Sequence, residues 1–127
     1  MTARVKSDLD PQWWFRVLDA WNASEESTSL AGAGVVGFEV IDRNHPPVWV
    51  RFDADGRAVS ADPPRSFARA SLLSATTKDW HAFIRGETTA TMAVVTGRIR
   101  HRGPLQQLMP YGLAFNRLAA VARKIEG

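Results

Sequence analysis

The sequence predicts a single α+β domain, on three observations. An apolar stripe of helical period opens the chain, segments alternating with period two follow it, and two further helical stretches close it. The length agrees, since 127 residues is the size of one ordinary domain. Apolar residues at 45% and charged residues at 23% are a globular balance and not that of a disordered chain.

Asp10-Pro11 opens the first helix. An aspartate at the cap accepts from free amide groups, and proline at the first helical position has no bond to lose. Trp14, Val17, Leu18 and Trp21 then fall at i, i+3, i+4 and i+7, and polar residues 22–29 end the stripe. From residue 35 the period becomes two. Val36, Phe38 and Val40 alternate with Val35, Gly37 and Glu39 in a first strand. After a turn at Asn44-His45-Pro46-Pro47, Val48, Val50 and Phe52 alternate with Trp49 and Arg51 in a second. Asp53-Ala54-Asp55-Gly56 reads as a hairpin turn, because glycine takes the positive φ that such turns need. A third strand is expected at residues 57–60 and, past Asp62-Pro63-Pro64, a fourth at 68–73.

Thr76-Thr77-Lys78-Asp79 has the form of a capping box. The helix it starts puts Trp80, Phe83 and Ile84 on one side and stops by Gly86. A short apolar segment, 91–95, leads through Gly97 to a fifth strand at 98–102. Gly103-Pro104 begins a last helical region reaching about Lys124. Pro110 lacks a backbone donor and must break it into two pieces. Ala114, Leu118, Val121 and Ile125 form the apolar stripe of the second piece, with Arg123 off it.

Composition excludes several functions. Without cysteine there are neither disulfides nor thiolate chemistry, which agrees with a reducing cytoplasm. Residues 1–10 read as a polar tail and 11–127 as the domain; the tail has no apolar signal segment, so a cytoplasmic location is expected. Residues 30–41 are too short, and interrupted by Glu39, for a membrane span, so no transmembrane segment is expected. A net charge of +3 is too mild to mark a nucleic-acid binder, and no RNA-binding motif is present; no nucleic-acid partner is expected. His45, His81 and His101 fall on a loop, a helix and a strand without metal-ligand spacing, so no metal site is expected. Gly32, Gly34 and Gly37 precede a strand instead of joining strand to helix, the wrong context for a dinucleotide.

Residues 70–118 resemble the sterol carrier protein type two family, the sterol-binding domain of lipid carriers. The resemblance lies in Ser74-Ala75-Thr76, the helix Thr77-Lys78-Asp79-Trp80-His81-Ala82-Phe83-Ile84-Arg85-Gly86, and Met92-Ala93-Val94-Val95-Thr96-Gly97-Arg98-Ile99-Arg100-His101-Arg102-Gly103 before a Leu-rich last helix. Asp19-Ala20-Trp21-Asn22 is similar to the start of small stand-alone bacterial members. Pro110-Tyr111 departs from that family's unbroken last helix. The resemblance implies a twisted sheet of about five strands covered on one face by helices. It also implies an apolar tunnel between them for fatty acyl, sterol or isoprenoid molecules; from the residues themselves, no cofactor and no catalytic residue is expected.

The candidate ligand-binding residues are Trp80, Phe83, Ile84, Met92, Val95, Leu105, Leu108, Met109, Tyr111 and Phe115. The methionines suit a site that reshapes around apolar guests. Arg98, Arg100 and Arg102 share one face of the fifth strand, with Ile99 and His101 on the other. They are expected at the rim, where a guanidinium suits a carboxylate or phosphate headgroup. Two other readings stay open. One is an enzyme or accessory acting on a bulky apolar metabolite through His81 or His101. The other is a ligand-free scaffold, such as a homodimer through the first or last helix.

Overall fold

Asp10-Pro11 does start a helix in the computed structural model, which describes residues 9–126; most of the expected polar tail lies outside the described residues. Helix α1 (Pro11–Ala23) is capped by the Asp10 carboxylate, which accepts from the Trp13 amide at 2.8 Å. Its apolar stripe is buried: Trp14, Val17, Leu18 and Trp21, joined by Trp13. A 3-10 turn (Glu25–Leu30) leads to strands β1 (Gly34–Val40), β2 (Val48–Phe52) and β3 (Ala58–Ser60). Then come β4 (Ala70–Ala75), α2 (Thr77–Ile84), α3 (Ala90–Val95), β5 (Arg100–Arg102), α4 (Leu105–Leu108), a 3-10 turn (Met109–Tyr111) and α5 (Gly112–Glu126). Pro110 sits in that second turn, so the last helical region breaks where its missing donor requires.

The five strands form one sheet in the order β3-β2-β1-β4-β5, with β1 and β4 parallel and the other pairs antiparallel. Register sets what each face carries. Val36 and Phe38 pair with Val50 and Val48 on one side and with Ser71 and Leu73 on the other, and this face meets the helices. The opposite face carries Gly37, Trp49 and Leu72, and the β3–β4 crossover folds Phe67 onto Trp49 with ring centroids 6.0 Å apart. Gly37 permits that arrangement, since a β-carbon there would lie 2.7 Å from the Trp49 ring.

Three elements differ from the sequence expectation. β4 begins at Ala70 instead of 68, because its parallel register with β1 runs from Val35↔Ala70 to Val40↔Ala75. The crossover needs the two extra residues to return across the sheet. The apolar segment 91–95 is helix α3, started by the Thr89 hydroxyl accepting from the Met92 amide. β5 is confined to residues 100–102, since the Ile99 amide is engaged by the Ala93 carbonyl at the end of α3.

Side-chain bonds fasten the helices to the sheet. Trp21 Nε1 donates to the Gly56 carbonyl at 3.2 Å, and the Asn22 amide group exchanges two bonds with the main chain of Ala58. Trp80 Nε1 donates to the Glu39 carbonyl at 2.8 Å, and Asp42 accepts from both the amide and the hydroxyl of Thr77. Arg123 Nε donates to the Ile84 carbonyl, tying α5 to the end of α2.

Gly56 is the tightest of these fastenings. Its φ is +83° and an added β-carbon would lie 1.9 Å from the Ser27 carbonyl oxygen. Gly56→Ala is expected to cost at least about 2 kcal/mol in urea unfolding, combining positive-φ strain with a backbone clash. A loss of only a few tenths would contradict the close approach.

Candidate ligand-binding cavity

Helices α1, α2, α3 and α5 do not close fully on the sheet. They leave a cavity of about 120 Å³ over β1, β4 and β5. Phe38, Leu73 and His101, one from each strand, make its floor, because register places them side by side across the sheet. The roof is α5, which brings Phe115 and Leu118 but also Ala119 and Ala122. Methyl groups there cannot reach the floor, and the space beneath them stays unfilled. At about 24 cal/mol per Å³, such a void costs the fold roughly 3 kcal/mol.

The two ends of the cavity differ in composition and exposure. One end is an aromatic wall. Trp14 stacks on Phe38 at 5.0 Å, Trp80 meets Trp14 edge-on at 5.1 Å, and Phe83 follows Trp80. The other end is aliphatic and open: Val95, Met109 and Leu105 line the cavity yet are 72%, 66% and 41% exposed. Residues that both line a cavity and meet solvent mark its mouth. This mouth lies where α3 packs beside the start of α5, the Thr91 hydroxyl lying 2.7 Å from where a β-carbon on Gly112 would be.

Of the residues expected from sequence, Trp80, Phe83, Ile84, Val95, Leu105, Leu108, Met109 and Phe115 come together in the wall. Met92 and Tyr111 do not. Met92 is 51% exposed, on the side of α3 away from the buried Ala93. The Tyr111 hydroxyl donates to the Ala31 carbonyl at 2.9 Å and fastens the helix break to the loop before β1. Two of the three arginines expected at the rim lie elsewhere. Arg100 and Arg102 pair with Ser74 and Leu72 and so face the far side of the sheet, where the Arg102 guanidinium lies 4.2 Å over the Phe67 ring. Arg98 is exposed between α3 and β5 and is not part of the wall.

Sequence reasoning did not select Trp13, Val17, Leu73, Ile99, His101, Ala119 or Ala122 for the wall. Ile99 and His101 were legible as the face opposite the arginines. The alanines give no positive signal, because what they contribute is missing volume.

The wall is almost wholly apolar and contains no charged side chain. Two polar nitrogens stand out. Trp14, Trp21 and Trp80 each donate their indole N–H to a main-chain carbonyl, whereas Trp13 Nε1 is buried without a partner. His101 Nε2 is likewise buried and unpartnered. An unsatisfied buried group of this kind costs about 1–3 kcal/mol. Burial also pushes the His101 imidazole below its ordinary value of 6.5, so it is neutral at pH 7. His81, on α2, is not among the wall residues, and among the described residues no three His, Cys, Asp or Glu side chains gather as metal ligands. No described helix is long and apolar enough to cross a membrane.

This layout matches solved structures closely in shape. Sterol carrier protein 2 superposes with a TM-score of 0.66 at 21% identity, over 89% of this chain and 95% of that one. The fold is that of the sterol carrier proteins. A conserved hypothetical protein of Thermus thermophilus, suggested to be a sterol carrier protein, shares the sterol-carrier fold at a TM-score of 0.69 and 19% identity, over 97% of this chain and 90% of that one. So does UbiJ-SCP2, a ubiquinone synthesis protein, at 0.54 and 16%, over 85% of each chain. No family model matches the sequence, and no curated protein does.

The sign of the His101 shift makes a pH prediction. The unfolded chain takes up this proton below about pH 6.5 while the folded chain resists it, so acidification favours unfolding. Urea midpoints of the wild type should therefore fall between about pH 7.5 and about pH 5 by more than those of His101→Leu. Parallel behaviour of the two proteins would contradict desolvation of the half-buried imidazole.

Proposed function

We propose that this chain is a non-catalytic carrier that binds, sequesters or transfers a lipid or other hydrophobic small molecule, acting in the cytoplasm. The observation that carries this reading is an unfilled apolar cavity with an exposed apolar mouth, in a sterol-carrier fold. Natural cores avoid such voids because they lose dispersion contacts and stability. A void retained where solvent-exposed aliphatic side chains lead into it fits a guest site better than a packing fault.

As it stands the cavity is near the size of a small ring, since a void of about 150 Å³ accepts benzene. Sites for larger ligands run to roughly 300–1,000 Å³. Binding a long chain therefore requires the cavity to widen, and the mouth supplies the means. α3 and α4 are short, with six and four residues, and α4 ends at the break, so their displacement disturbs little regular structure. Burying about 300 Å² of ligand hydrocarbon contributes roughly 7 kcal/mol before association costs, enough for useful affinity without a charged contact.

The wall supports carriage over catalysis. His101 is its one ionisable side chain, and no serine, cysteine or carboxylate lies beside it in the wall. The names of the structural neighbours point to sterols for some and to ubiquinone synthesis for another, so the cargo of this chain is read from its own cavity.

Native mass spectrometry of freshly purified protein should show a retained acyl or isoprenoid mass. An empty protein that also ignores fluorescent fatty acids would defeat the proposal. Ala119→Phe puts a ring into the void and should weaken binding of a fluorescent long-chain fatty acid by about tenfold or more, with an unchanged circular dichroism spectrum. Undiminished affinity in that variant would place the guest elsewhere.

A further inference from the structure

Two residues of the cavity wall, Trp13 and His101, each carry a ring nitrogen that the fold leaves without a partner. Trp13 Nε1 can only donate, while His101 Nε2 donates or accepts according to tautomer. Trp13 is 1% exposed and sits on α1; His101 sits across the cavity floor on β5. Each of the two atoms has less than 1 Å² of accessible surface, so in the closed state water does not satisfy them. The contrast with Trp14, Trp21 and Trp80, all bonded to main-chain carbonyls, shows that this fold readily pairs an indole when nothing else is required of it.

We infer that the guest carries a neutral oxygen function, a hydroxyl or carbonyl, and buries it against Trp13 Nε1 and His101 Nε2. The inference rests on the lipid-binding reading and specifies the guest's polar end. The inference requires that widening the cavity for a chain uncover these covered atoms, so that the guest's own oxygen satisfies them. A carboxylate or phosphate does not suit this position. No arginine or lysine lines the wall, and a buried unpaired anion is far more costly than a buried hydroxyl with partners. The arginines of β5 cannot compensate, since they lie on the other face of the sheet. A charged head therefore remains at the mouth, in water.

The test compares 1-dodecanol, 2-dodecanone, dodecane and dodecanoate as competitors of a fluorescent fatty acid on the wild type, Trp13→Phe and His101→Leu. Comparing variants for each ligand cancels differences in ligand hydration. Each substitution should weaken dodecanol and dodecanone by about fivefold, the size of one net hydrogen bond, and leave dodecane and dodecanoate within about twofold. An NMR readout needs no substitution: the Trp13 indole N–H resonance should move downfield with dodecanol and stay in place with dodecane. Equal losses for all four ligands, or none, together with an unmoved indole resonance, would overturn the inference while the carrier reading stands. Losses as large for dodecanoate as for dodecanol would overturn the neutral-head assignment. Failure of every competitor to bind the wild type would remove the carrier reading and this inference with it.

Discussion

Hydrogen bonds between the helices and the strand ends and loops of the sheet fix how the two layers sit on each other. Trp21 and Asn22 fix α1 to the β2–β3 hairpin, while Trp80 and Asp42 fix α2 to the end of β1 and the loop after it. Asn116 on α5 accepts from the first amide of α3, and Tyr111 secures the helix break. Each such bond contributes about 1 kcal/mol net. Their sum is comparable with the cost of the void, roughly 3 kcal/mol at about 24 cal/mol per Å³. The alanines of α5 decide where the void falls.

That arrangement separates a stiff part from a yielding one. The interlocked rings of Trp14, Phe38, Trp80 and Phe83 are wide and buried, and both indoles donate to main-chain carbonyls. Opposite them, α3, α4 and the Pro110 turn are single turns or little more, with aliphatic side chains facing water. Helices so short have little stability of their own and depend on what they pack against. Motion near the mouth is therefore cheap while the far wall stays in place. A chain entering there would meet flexible groups first and rigid aromatic surface last.

Much of this was legible in the residues. The spacing of Trp14 to Trp21, the alternation through Phe38 and Val50, and Pro110 each have one local solution, and the structure adopts it. The features that escaped depend on pairing between distant segments. Alternation in β5 separates its arginines from His101, but only the Leu73↔His101 register shows that the histidine side faces the cavity. Met92 and Tyr111 look apolar and aromatic in sequence, yet helix phase turns one outward and a hydroxyl bond holds the other at Ala31. Small residues are the hardest to read, since Ala119 and Ala122 resemble any buried helix stripe until the opposing surface is known.

A crystal structure of the protein with a bound long-chain lipid tests the account most directly. Elongated density should enter beside Val95 and Met109 and run between Leu73, Phe83 and Leu118, with α3 or α4 displaced outward. Lipid confined to the outer surface, over an interior that stays closed, would contradict it.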